Sequence, residues 1–498
     1  MSRSTAAWLA CFALLPFAHA ADYQVDPSFG NAGWSRLFEN GGGTQDEKAV
    51  AFARTVDGGY VVALEEPGGG ANGGTGKRIG LNRLDRNGNY VTSGFGTGGR
   101  VFKDAFLTSV TDMTIDAQGR IIVVGATPGP GGLSDFGVVR FNSDGSDDSS
   151  FAGDGGTSFG FENGGPNIVD SPTSVLTDPD GRIVVAGSLD LGNSDRRFGI
   201  VRLNVDGSID STFGDINDGA GGHRGTDGTF VSSTAAYASR ILRIVDGYYV
   251  ITGTSVFSST DTDFAARILT PSGGPWVNFI GSSTFPIDEP GPGGSLFDGA
   301  NDAILVNPTT ILLVGNASGK FAATRIKVGT SNGSSLYSTL TWDPSFIGSA
   351  IVGRPNRYVG NTPSASCQSA ALRSDGRILL VGGTSSAAIS RTPNGMSISS
   401  GDEPGGNFWT YAGLVTRLNP DGSPDSGFGL GGSYPFVAPT SGGSQSIYSE
   451  FKQVRFDGAQ AVIIGSSVDN NGSVSDFDGV ITRLQSDTIF ANGFEAQP

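Results

Sequence analysis

Acid–base or nucleophilic catalysis needs histidines, cysteines or carboxylates that act together, and this chain is poor in the first two. Its 498 residues include two histidines and two cysteines. His223 stands in GAGGHRGTDG, a glycine-rich stretch with no nucleophile elbow. It reads as a loop residue rather than the base of a Ser-His-Asp or Cys-His arrangement. Cys367 lies in the apolar run Ser366–Leu372, where a buried, inert thiol is the simpler reading. A zinc site needs several such ligands. The run GGGANGGTG is not followed by the Lys-Ser or Lys-Thr of a phosphate-cradling loop.

Carboxylates are more plentiful. Asp288 with Glu289, and Asp402 with Glu403, are adjacent pairs of the residue type that glycosidases and polysaccharide lyases use. Neighbouring acids on a loop point apart, however, and such groups are mostly just solvated. Calcium would take oxygen ligands from flexible acidic loops. The candidates are Asp178 and Asp180 in DPDG, and Asp215 with Asp218; Asp144, Asp147 and Asp148, and Asp469 with Asp476, are similar clusters. Tight turns call for the same Asn, Asp and Gly residues, so turns are the expectation. No cofactor is expected, with calcium the one ion left open.

The composition narrows the class. Glycine accounts for 79 residues, the net charge is −16, and charged residues are 16% of the chain, against about a quarter in an average soluble domain. Nucleic-acid binding would need a basic stripe, and collagen would need glycine at every third position. Neither pattern is present. Residues 1–20 read as a signal peptide, with Arg3, the apolar stretch Ala6–Phe17 and the small-x-small site Ala18-His19-Ala20. An exported protein is therefore expected, extracellular, on the cell surface or periplasmic, with no transmembrane segment. The mature chain keeps a single cysteine, so packing rather than a disulfide must hold it.

Internal repetition dominates the rest. A Phe leading into glycine-rich residues recurs at Phe29, Phe95, Phe151, Phe213, Phe279, Phe346 and Phe428. A turn, an apolar run and usually a glycine recur as GYVVAL, GRIIVVGA, GRIVVAGS, GYYVITGT, TILLVGN, GRILLVGG and AVIIGS. An apolar strand ending in arginine recurs at Arg83, Arg140, Arg202, Arg267, Arg325, Arg417 and Arg483. Each element appears seven times, with a period of about 67 residues that marks a repeat architecture. Period-two alternation and Asp-Gly turns predict four strands per unit, the first following the Phe-Gly turn. The later strands are apolar on both faces and need cover above and below. Radially stacked copies supply it, which predicts an all-β, seven-bladed β-propeller of four-stranded antiparallel blades over residues 21–485. An open β-solenoid is the alternative. Residues 486–498 form a C-terminal tail.

DPSFGNAG, DGRIVVAGS and FGIVRLNVDGSIDSTFG resemble the bacterial delta-60 repeat family of exported proteins. That resemblance implies a propeller-like repeat and an address outside the cytoplasm, and implies no activity. The tail IFANGFE resembles a C-terminal ending of exported proteins from some Gram-negative bacteria. A fainter similarity is to FG-GAP propeller repeats, whose acidic loops carry calcium; only Asp178-Pro179-Asp180-Gly181 comes near such a loop.

Seven copies of one arginine argue for a structural role, because an active site would need one or two. Its stem should pack between blades while the guanidinium ties loop carbonyls or an acid. Four-strand meanders place the tight turns on one face and long insertions on the other, roughly residues 66–77, 157–171, 214–235, 282–299, 347–364, 386–410 and 433–447. Candidate ligand residues on that face are Asp288, Glu289, Asp402, Glu403, Trp409 and Tyr411. The functional expectation is a monomeric, non-enzymatic propeller that binds an extracellular protein or glycan. The alternative is a propeller polysaccharide lyase or hydrolase using loop carboxylates.

Overall fold

β-branched alternation and the Gly-punctuated apolar runs do form strands. The structure, a computed structural model, describes residues 25–37, 46–67, 77–104, 106–129, 132–161, 169–192, 195–214, 228–232, 236–274, 284–287, 296–330, 337–348, 356–385, 388–392, 395–399, 411–429, 431–436, 438, 448–470 and 475–485. The proposed signal peptide and C-terminal tail lie outside these residues. Blade 3 shows the pattern: Val169–Thr177, Ile183–Asp190, Arg196–Leu203 and Thr229–Val231 pair antiparallel in that order. Among the described residues seven such blades are present, five as separate four-stranded sheets and the fourth and fifth joined in one nine-stranded sheet by a short parallel pairing of Asp261–Thr262 with Leu296–Phe297. Their innermost strands are Lys48–Arg54, Asp112–Ile115, Val169–Thr177, Ala236–Arg243, Leu296–Asn307, Ala365–Leu372 and Tyr448–Asp457. Each inner strand touches the next, and the seventh touches the first. The ring is closed; it is a seven-bladed propeller and not an open solenoid.

Closure uses both ends of the array. Trp34–Leu37, from the N-terminal side, pairs with Ser475–Arg483 and becomes the outermost strand of blade 7. The strand after each Phe-Gly turn also behaves differently from the sequence expectation. Arg100–Asp104 follows Phe95 but pairs with Lys77–Leu84, so it closes the preceding blade rather than opening the next. The Phe-Gly segment is thus the link between third and fourth strands, pinned by the Leu84–Tyr90 and Thr97–Arg100 bridges. Blade 5 departs further, because both Tyr337–Trp342 and Arg357–Val359 pair with its third strand Lys320–Thr330.

The two-faced burial has the expected partner. In blade 3, Ile183 and Val185 join Ile122, Val124 and Val138 of blade 2, whereas Val184 and Ala186 join Ile241, Ile251 and Leu269 of blade 4. Alternate residues of one strand thereby sit in two different inter-blade cores.

A second regularity explains the glycine that ends most of the apolar runs. Six inner strands carry a register break at one repeat position, between Ala49 and Ala51, Pro172 and Ser174, Ala238 and Arg240, Ala300 and Asp302, Cys367 and Ser369, and Phe451 and Gln453. A bulge of this kind pushes the backbone out of the pleat. At Gly187 a Cβ would overlap the Ser171 carbonyl oxygen, and Gly125, Gly253, Gly315, Gly382 and Gly465 meet the same obstacle one repeat away. We expect Gly187→Ala to cost about 1–3 kcal/mol, the range for a core forced to accept an extra group, read as a lower urea midpoint. An unchanged midpoint would show that the bulge is free to shift.

Candidate functional site

The repeated arginine sits at the joint between blades. Arg140 of blade 2 donates from Nε to Asp148 at 2.7 Å and from Nη1 to the Val205 carbonyl of blade 3 at 2.6 Å. Its guanidinium lies 4.5 Å from the centroid of the Phe151 ring. That ring fits beneath Gly207 of the blade 3 turn, where φ is +88° and a Cβ would strike Phe151. Arg202 makes the same set with Asp210, the Pro271 carbonyl and Phe213. Arg325 uses Asp343, Pro420 and Phe346, and Arg483 uses Asp26, the Arg86 carbonyl and Phe29 across the ring closure. Arg417 pairs with Asp425 at 2.8 Å over Phe428.

Two copies differ. Thr92 stands where five of the other units have the aspartate, and Arg83 turns instead to Asp57 of its own blade. Arg267 keeps the strand position opposite Ile251, and burial draws its pKa down; the Phe279 of its unit lies outside the described residues. Burial works against the Asp210 and Asp343 charges, but hydrogen bonds from Thr212 and Arg202, and from Ser345 and Lys327, outweigh it and hold both carboxyls down at about 2.

The axis is a second polar feature, and the sequence reading missed it. An inner strand is an edge strand, so some backbone groups have no sheet partner. Ala51, Asp112, Ser174, Arg240, Asp302, Ser369 and Gln453 share a repeat position, each opposite the residue that precedes the second-strand glycine or its equivalent Leu64, and four of them answer this need. Asp112 accepts the Val175 N–H at 3.0 Å, Ser174 accepts Ile241 N–H at 3.3 Å, Asp302 accepts Ala370 N–H at 3.3 Å, and Gln453 accepts Phe52 N–H at 2.8 Å. In every case the donor belongs to the next blade. Arg240 spans the axis, donating to Asp302 of blade 5 at 2.7 Å and Asp112 of blade 2 at 2.9 Å. Burial disfavours its charge, yet these two carboxylates hold the guanidinium protonated more firmly than usual.

Toward the face where the inner strands begin, the axis opens into a pocket of about 500 Å³ lined from all seven blades. Lys48, Thr111, Thr173, Tyr237, Asn301, Gln368 and Lys452 contribute one residue per blade, and Asp112, Arg240 and Gln453 also line it. Thr173, Asn301, Gln368 and Lys452 are bulge residues, so the register breaks deliver these side chains to the pocket. The pocket carboxylates are engaged. Glu65 accepts the Val110 N–H at 3.2 Å and pairs with Lys77 at 3.3 Å, and Glu450 accepts the Tyr448 hydroxyl at 2.8 Å.

Most residues singled out from sequence lie elsewhere. Asp178 accepts the Tyr249 hydroxyl at 2.6 Å and pairs with Arg243 at 3.2 Å, while Asp180 pairs with Arg182 at 2.6 Å. Asp144 caps its turn through Ser146, and Asp147 pairs with Lys103. Among the described residues no three His, Cys, Asp or Glu gather where a metal ion could sit. Asp215, Asp218, Asp288, Glu289, Asp402, Glu403, Trp409 and His223 lie outside the described residues. Tyr411 stacks on Tyr448 with centroids 4.6 Å apart, bridging blades 6 and 7. Cys367 is buried, and burial pushes its thiol pKa well up.

The placement of the insertions needs one correction. The links Phe213–Thr229 and Phe346–Arg357 join third strands to fourth strands, so they leave from the face of the tight turns and not from the pocket face. The links after Phe285, after Thr384 and after Phe436 do belong to the pocket face.

Residues 118–151, 179–213 and 405–428 match the family model described as "Domain of unknown function (DUF5122) beta-propeller". The chain thus carries propeller-like repeats of that kind. No curated protein matches it. Among solved structures, it is similar to a protein from Dyadobacter fermentans at 12% identity, covering 92% of this chain and 100% of that one, with a TM-score of 0.39. A glucose dehydrogenase is similar at 11% identity over 90% and 99% of the two chains, TM-score 0.36. An ulvan lyase is similar at 10% identity over 91% and 99%, TM-score 0.39. Superpositions this loose do not bear on the ligand.

Two outcomes are expected from the joints. Arg140→Ala leaves Asp148 charged in a buried site, which should cost about 3 kcal/mol or more and lower the melting temperature; an unchanged value would show the joint to be dispensable. Asp210 and Asp343 titrate near 2 when folded and near 3.8 when unfolded. The stability they contribute is therefore complete above about pH 4 and is lost as pH falls toward 2. Urea midpoints should drop steeply over that window, and Asp210→Asn should start lower at neutral pH and fall less steeply. A variant that parallels wild type through the window would contradict this.

Proposed function

We propose that this protein is an exported, non-enzymatic binding propeller that takes a glycan or protein ligand in its axial pocket. The observation that carries the reading is the pocket's construction. All seven blades contribute to it, six of its lining residues stand at register breaks, and its floor is the Arg240–Asp112–Asp302 cluster. A concave site lined by a few placed polar groups on a rigid scaffold is the usual form of a ligand site. Polysaccharide cleavage would call for a carboxyl group held free to exchange protons beside the bond being broken. Glu65, Glu450 and Asp112 each already hold a hydrogen-bonded or ion-paired partner, which favours binding. Among the described residues no helix is long and apolar enough to cross a membrane. A monomer is proposed, because one propeller closes on itself.

The test is a glycan array and an extracellular pull-down run with wild type and with Thr173→Trp, which fills the pocket from blade 3. Ligand retained by wild type and lost by a folded Thr173→Trp supports the reading. Binding that survives the indole, or release of sugar products by the wild type, overturns it.

A further inference from the structure

The pocket's charge is unlike that of the chain around it. The protein carries a net charge of −16, yet its pocket is lined by two lysines. Lys48 and Lys452 line it from the neighbouring blades 1 and 7, and both are exposed. Neither has a carboxylate partner among the described residues. The Lys48 ammonium lies 5.0 Å from the centroid of the Phe477 ring, and Lys452 donates to the Gln368 side-chain oxygen at 3.4 Å. These contacts hold the two ammonium groups without cancelling their charge. Two of the pocket's carboxylates, by contrast, are paired with cations, Glu65 with Lys77 and Asp112 with Arg240, while Glu450 keeps its charge and accepts the Tyr448 hydroxyl.

A concave site with walls of lower dielectric focuses the field of its unpaired charges. Two lysines on one wall therefore favour an anionic group, met as point charges rather than through a planar fork. The remaining wall suits a sugar. Asn301 gives its amide to the Cys367 carbonyl at 2.8 Å, which leaves its own carbonyl oxygen to accept a hydroxyl. Tyr237, 44% exposed, offers a ring edge or face at the rim. We infer that the ligand is an acidic saccharide whose carboxylate or sulfate ester sits between Lys48 and Lys452. This rests on the axial-pocket reading above.

Calorimetry with three probes tests it: trigalacturonate for carboxylate, a chondroitin sulfate tetrasaccharide for sulfate, and maltotriose as the neutral control. At least one acidic probe should bind, more weakly as salt rises, and maltotriose should bind at least tenfold less tightly. The Lys48→Gln/Lys452→Gln double variant should lose at least tenfold in affinity for the acidic probe with its melting temperature unchanged, since both side chains are exposed. Which acid wins decides between carboxylate and sulfate. If maltotriose binds as tightly as the acids, or the double variant binds the acids as wild type does, the inference is wrong; loss of that binding in Thr173→Trp would leave the pocket reading standing. If no probe binds the wild type, the inference falls and the pocket reading rests on its own array and pull-down; if Thr173→Trp binds the acids undiminished, both fall.

Discussion

A sheet that is apolar on both faces cannot stand in water, and in this chain the cover on each face is another copy of the same sheet. The joint that fixes one copy to the next is the Phe socket. Phe151 lies under Gly207, Phe213 under Gly273, Phe346 under Gly422 and Phe29 under Gly88, always across a blade boundary. Burying a Phe side chain is worth about 1.5–3 kcal/mol, and the joint recurs around the ring. The arginine and aspartate beside it contribute less to net stability, because their desolvation offsets much of their attraction. What they add is direction. A guanidinium held on Asp148 has its remaining donors aimed at one carbonyl of the neighbouring turn, so the joint closes in one register.

Closing the ring creates a problem at the centre that the joints do not solve. Seven inner strands meet with unpaired backbone edges, and those edges must be satisfied by side chains. Asp112, Ser174, Asp302 and Gln453 do so from one repeat position, and the identities there differ around the ring: Ala51, Asp112, Ser174, Arg240, Asp302, Ser369 and Gln453. The outer joints repeat the same chemistry almost unit by unit, whereas the axis does not. Where near-identical copies are made different is where a single ligand can be recognised.

The bulges connect the two features. In blades 3 to 7 they lie against a glycine of the second strand, and they also turn Thr173, Asn301, Gln368 and Lys452 into the pocket. The pocket wall is therefore built on strands rather than on loops, and its side chains are held by the sheet registers. A site of this kind loses little conformational freedom when a ligand arrives.

The strands, their seven-fold recurrence and the need for cover on both faces were legible in the chain alone, because period-two alternation and turn residues are local properties. GRIVVAGS and RRFGIVRL state their strands wherever they are placed. The blade phase was not local: Arg100–Asp104 could pair forward or backward, and only the register against Lys77–Leu84 decides it. The same decision moved the links after Phe213 and Phe346 to the other face. Nor could the axial cluster be read in advance. Arg240 meets Asp302 and Asp112 from 62 and 128 residues away, and in sequence each is one polar residue among others in its strand. A column of residues at one repeat position, polar in six of the seven blades, was the available signal. What brings them together is ring closure, which sets seven distant strand edges around one axis and makes their side chains neighbours.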